Sequence, residues 1–160
     1  MITHARLLEV LEYDRSMGVF VWRVGRQKCK AGSAAGRINI GYVEITIDGK
    51  MYLGHRLAWF YVYGTWPESD IDHKDRNRSG NWIDNLRPAT TQQNGFNRGA
   101  QENNVLGIKG VCVRPGGRYQ AQISKNGRNR YIGMFDTPEE AHAAYLSEAE
   151  KHHGEFINKE

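Results

Sequence analysis

Residues 55–63, HRLAWFYVY, constrain the fold more than any other stretch of the chain. Their apolar side chains are too densely set for one amphipathic stripe, which predicts a helix buried on most of its sides. Gly64 and Pro67 end it. The segments before it are short and strand-like: 18–22 (GVFVW), 36–40 (GRINI) and 42–47 (YVEITI). The last of these turns through Asp48-Gly49 into 51–53, a hairpin signal. Residues 2–13 set Ile2, Leu7, Leu8, Val10 and Leu11 on roughly one helical face, which predicts a short amphipathic helix. Between 26 and 35, Arg26, Lys28 and Lys30 stand among small residues in a basic loop.

Beyond the apolar run, residues 68–97 read as short strand, polar loop, short strand and helix start. Residues 98–105 (RGAQENNV) are polar and serve as a linker, so one domain is expected over 1–98 and a second over 105–160, joined by 99–104. In the second, 107–114, 118–125 and 128–135 are three expected strands, with turns at Pro115-Gly116-Gly117 and Asn126-Gly127. Thr137-Pro138-Glu139-Glu140 then starts a capped helix, whose Ala141, Ala144, Tyr145 and Ala149 form a small-residue face that can lie against a sheet. The expected fold class is α+β.

The formal net charge of +4 hints at a polyanionic partner. The two cysteines, Cys29 and Cys112, are far apart and form no Cys-x-x-Cys pair, so a thiolate zinc site has no support and a reducing cytoplasm is the expected compartment. The N-terminus carries acids among its apolar positions, which argues against a signal peptide or a membrane span.

The chemistry is concentrated in Asp72-His73, Asn85 and Asn94. Hydrolysis of a phosphodiester needs a base for water, a cation for the developing charge and a group that orients the base. A histidine titrates near neutrality and suits the base; a neighbouring carboxylate is the hard oxygen ligand that Mg²⁺ prefers. The amide oxygen of Asn85, expected on the second strand, can accept a hydrogen bond from His73, and that of Asn94 can return to a metal. Adjacent strand residues point to opposite sides, so a strand end or bend must bring Asp72 and His73 to one site.

The stretch HRLAWFYVYG … IDHKDRNRSGNWIDNLRPATTQQNGFN resembles the HNH nucleases, and specifically phage-type homing endonucleases whose last motif residue is Asn. The resemblance implies a ββα-metal core over 54–98 that cuts double-stranded DNA with one divalent ion, Mg²⁺ or Mn²⁺. By position it assigns the metal to Asp72 and Asn94, the general base to His73 and its orientation to Asn85. Arg87 is a candidate phosphate clamp, and the His55-Arg56 pair has a structural or phosphate-contacting role.

In the second domain, Lys109, Arg114, Arg118, Lys125, Arg128 and Arg130 occur over 109–130 without an acid. Alternation puts Arg118, Gln120, Gln122 and Ser124 on one face and Tyr119, Ala121 and Ile123 on the other. GIKGVCVRPGGRYQAQI … RYIGMFDTPEEAHAAY … HGEF resembles the APETALA-type domain of plant ethylene-response factors, most specifically through Gly133-x-Phe135-Asp-Thr-Pro-Glu-Glu-Ala141. That likeness implies DNA contacts by Arg114, Gln122, Ser124 and Tyr131, with Arg118 nearby; Gln120 is a candidate by its place on the same face, and the basic loop with Lys28 is expected to add salt-sensitive affinity. Cys112 and Gly116 stand where the plant proteins place a contacting Arg and Trp, so base preference does not transfer. The functional expectation is a metal-dependent DNA endonuclease of phage or mobile-element type. The rivals are a DNA-binding regulator without cleavage and an RNA-binding or RNA-cleaving protein; the oligomeric state stays open.

Overall fold

A computed structural model describes residues 1–25, 29–125 and 127–157. Chain contacts divide it into two units, Met1–Thr91 and Gln92–Glu160. The first runs α1 (His4–Val10), β1 (Leu11–Asp14), β2 (Val19–Trp22), β3 (Arg37–Asn39), β4 (Tyr42–Ile47), β5 (Lys50–Leu53), α2 (Gly54–Tyr63), β6 (Asp70–His73) and β7 (Leu86–Ala89). Lys28, with its expected DNA contact, lies outside the described residues.

Thr3 caps α1, its Oγ1 accepting from Arg6 N at 3.2 Å. The helix stops at Val10, short of the expected 13, and the chain continues extended into β1. Helical and strand periodicities both fit this short apolar stretch, and tertiary packing decides between them. As a strand, 11–14 buries Leu11 and Tyr13 on one side, with the Tyr13 ring stacked on Phe20 of β2 at 4.6 Å. Glu12 and Asp14 then face water.

β3, β4 and β5 form an antiparallel sheet in which Asp48 and Gly49 both take positive φ, 49° and 79°. Such a turn matches the strand twist. α2 follows β5 without a loop and is buried through Gly54, His55, Leu57, Ala58 and Phe60. It ends at Gly64, whose φ of 72° lets its N–H reach Phe60 O at 2.9 Å. α2 sits within one continuous core with Leu7, Val10, Leu11, Phe20, Ile45, Ile47, Ile71 and Leu86. The N-terminal strands therefore share their core with the segment that holds Asp72 and His73. Fully burying a side chain such as Leu57 contributes about 1.5–3 kcal/mol.

The second unit contains most of α3 (Thr91–Asn97), then β8 (Val111–Arg114), β9 (Arg118–Lys125), β10 (Arg128–Phe135) and α4 (Pro138–His153). β9 is the central strand, antiparallel to both neighbours. Ala121 and Ile123 are buried, and Val111, Ala121 and Ala141 make one small core while Ile123, Tyr145 and Ala149 make another. Thr137 caps α4 by accepting from Glu140 N at 3.2 Å, with Pro138 in the first turn. Among the described residues, no helix is long and apolar enough to cross a membrane.

Candidate active site

β6 and β7 pair antiparallel, with Asp72 opposite Arg87 and His73 opposite Leu86. Arg56 of α2 ties down the approach to β6: its guanidinium donates to the carbonyls of Pro67 and Ser69 at 3.1 and 3.2 Å. Arg56 thereby acts as a strut between α2 and the segment that leads into β6.

Asp72 and His73 meet different neighbours, as adjacent strand residues must. Arg87 donates to Asp72 Oδ2 from Nε at 2.9 Å and Nη2 at 2.8 Å, and both side chains are more than nine-tenths buried. Arg87 was expected to reach a phosphate. Its place across the ladder from Asp72 gives it an internal carboxylate instead, a charge-assisted pairing favoured where both ions are out of water.

His73 turns to a pocket of aromatic and amide groups. Its Nε2 lies 3.1 Å from Asn81 Oδ1, its ring is 5.1 Å and edge-on to that of His55, and Tyr42 is 6.2 Å away. Arg78 lies over the Tyr42 ring at 5.2 Å. Burial holds the His73 pKa below its ordinary value, against the opposing effect of the Asn81 hydrogen bond. Burial likewise pushes His55 down to about 3, with His73 and Arg56 adding to the effect. Both rings are neutral at pH 7.

Asn85 does not contact His73 as expected, and it lies in a one-turn 3-10 helix, Ile83–Asn85, just before β7 rather than on a strand. Its amide closes the loop that follows His73. Nδ2 donates to Asp75 Oδ1 and Gly80 O, both at 2.8 Å, while Oδ1 accepts from Asp75 N at 3.1 Å. Lys74 N adds a bond to Asn85 O at 2.9 Å. The amide that meets His73 is that of Asn81, one of several asparagines in a polar loop. Nothing in the sequence singles it out, because only the folded loop sets its side-chain oxygen against His73. Asn81 Nδ2 and His55 Nδ1 are buried without a hydrogen-bond partner, each at a cost of about 1–3 kcal/mol.

Asn94 lies half-buried on α3, whose residues from Gln92 onward cluster with the second unit. In that unit, Arg114 Nε donates to Gln120 Oε1 at 2.7 Å, and Gln120 Nε2 to Gln122 Oε1 at 3.3 Å. Gln122 stands opposite Tyr131, which is exposed, and Ser124 opposite Asn129. These groups line the sheet face away from Ala121 and Ile123. Arg118, at the end of that row, pairs with Asp136 at 3.1 Å.

The class to which the first unit's site is similar is that of the HNH endonucleases: residues 52–96, from β5 into α3, match the HNH endonuclease family model. An uncharacterized HNH endonuclease of Acanthamoeba polyphaga mimivirus is 39% identical over 110 residues, which cover 68% of this chain and 56% of that one. The chain thus spans about half the length of this relative. No solved structure matches the chain.

Proposed function

We propose that the protein is a metal-dependent endonuclease that hydrolyses phosphodiester bonds of double-stranded DNA, with His73 as general base. The observation that carries this reading is the buried His73 imidazole that follows the Asp72 carboxylate at the end of β6, inside the stretch similar to HNH endonucleases. A general base must be unprotonated at working pH, and burial favours that form. His73 takes a proton from water as the water oxygen bonds to phosphorus, in line with the departing 3′ oxygen. The bond from phosphorus to that oxygen breaks, and the oxygen leaves with the electron pair and gains a proton.

Asp72 supplies the oxygen donor that a hard divalent cation takes. The Asp72 carboxylate, bonded by Arg87 at Oδ2, has the hard oxygen chemistry of a ligand to Mg²⁺ or Mn²⁺. The family resemblance adds Asn94 as the second. When bound, the cation would neutralise charge developing on the phosphate and the leaving oxygen. The β8–β10 face with Arg114, Gln120, Gln122, Ser124 and Tyr131 is the proposed surface for reading DNA, and a homing role in a phage or mobile element belongs to the same proposal.

The test is cleavage of supercoiled plasmid with Mg²⁺ or Mn²⁺. Wild type is expected to nick or linearise it, and His73→Ala to lose about 100-fold or more in rate. A wild type that binds DNA and cuts none under any metal would instead make it a binding regulator. The Asp72–Arg87 ion pair is the observation that favours that second reading, since it engages the carboxylate internally.

A further inference from the structure

We propose that Asn81 is the positioning residue of His73: its side-chain carbonyl holds the imidazole in the Nε2–H tautomer and so makes Nδ1 the atom that receives the proton. This rests on the reading of His73 as the base.

The contact itself is short and dry. Asn81 Oδ1 is 3.1 Å from His73 Nε2, and the two residues are 1% and 5% exposed. A carbonyl oxygen can only accept, so the neutral ring must carry its proton on Nε2 to make this bond. The other nearby amide is engaged elsewhere: Asn85 spends its oxygen on Asp75 N, and its nitrogen on Asp75 Oδ1 and Gly80 O.

Asn81 is also held where it is by elements far away in the chain. The Tyr13 hydroxyl of β1 donates to Asn81 O at 2.6 Å. Gly18, in the turn after β1 with φ of 70°, lies so close that a Cβ there would stand 2.4 Å from Asn81 C and 2.1 Å from Trp82 N. A Cβ on Gly54, at the start of α2, would meet Asn81 Nδ2 at 2.9 Å. Backbone is thus pressed against this asparagine from two sides, and a side chain at either glycine would displace it. His55 fixes the ring's other dimension by packing edge-on to it.

The amide is not explained by stability. Its Nδ2 is buried with no partner, which penalises the folded state. A leucine, branched at Cγ as asparagine is, would relieve that penalty while removing the oxygen. A residue kept only for packing would therefore be replaceable here, and one kept for its oxygen would not.

The experiment measures the ring-nitrogen resonances of His73 by NMR in the full chain, without metal or DNA and at neutral pH, for wild type, Asn81→Leu and Asn81→Asp. Wild type is expected to show the Nε2–H tautomer. Asn81→Leu should lose that preference with folding intact by amide spectrum, and Asn81→Asp, which keeps an acceptor oxygen, should restore it. In plasmid cleavage, Asn81→Leu should lower kcat by about 100-fold, the scale of a mispositioned reacting group, with KM for DNA unchanged and Asn81→Asp recovering most of the rate. A wild-type Nδ1–H tautomer overturns the proposal, as does an Asn81→Leu chain that keeps both tautomer and rate. If wild type cuts no DNA, the nuclease reading fails by itself, while the tautomer measurement still decides the Asn81–His73 coupling.

Discussion

His55 carries the sharpest single-residue consequence of the first unit's packing. It is 6% exposed, its Nδ1 has no hydrogen-bond partner, and its pKa is pushed from 6.5 down to about 3 by burial, with His73 and Arg56 adding to the effect. Above pH 6.5 the ring is neutral in both folded and unfolded chains and adds no dependence on pH. As pH falls below 6.5 the unfolded chain takes up a proton that the folded chain refuses, so stability is lost until the folded ring titrates near pH 3. The expected slope from His55 is about 1.4 kcal/mol per pH unit within that window. Denaturant unfolding across it should therefore give a flatter profile for His55→Phe than for wild type; equal slopes would mean that His55 is not buried as described. His73, lowered in the same direction, contributes a slope that the His55 variant retains. The two rings also bear on how much of the site was legible. Asp72-His73 is recognisable as a motif of adjacent residues, whereas the rings around His73, His55 of α2 and Tyr42 of β4, are brought there only by the fold.

At the scale of elements, local signals worked wherever the backbone itself makes the choice. Asp48-Gly49 turns with both residues at positive φ, Gly64 ends α2, and Thr137-Pro138 opens α4, each as its residue types require. They failed where two periodicities fit the same residues, as at 11–14, which pairs as β1 although its apolar spacing also suits a helix. The β3–β4 turn goes against the local rule. Ile40 holds φ of 48° before Gly41 at 82°, a pair of positive values that favours Asn-Gly and penalises a β-branched residue. Its side chain is 81% exposed and recovers little by packing. Ile40→Asn is therefore expected to stabilise the chain by about 1 kcal/mol, read as a higher denaturant midpoint at unchanged slope. No gain would show that the strain is relieved by contacts other than those described.

Over the whole molecule, the N-terminal elements and the β6–β7 pair belong to one core, and the β8–β10 sheet with α4 makes its own. This separation gives the proposed DNA-reading face a test that does not depend on cleavage. Arg114 sits on that face beside Gln120, away from the α4 side. If it meets a phosphate, Arg114→Ala should weaken binding to all duplexes alike and make the plot of log affinity against log salt shallower by about one unit. An unchanged slope in a fluorescence titration at several salt concentrations would remove Arg114 from the interface.

The sequence by itself determined what short-range chemistry can determine: the turns, the helix caps, the strand alternation that sends Ala121 and Ile123 inward, and the adjacency of Asp72 to His73. Tertiary structure alone decided the partners of those two residues. Arg87 reaches Asp72 because the ladder sets them opposite one another. Asn81, rather than Asn77 or Asn85, reaches His73 because Tyr13 and Gly18, more than sixty residues earlier, press the loop into place. A hydrogen bond needs its donor and acceptor within about 3 Å, and for groups on a polar loop that distance is set by the elements packed against it.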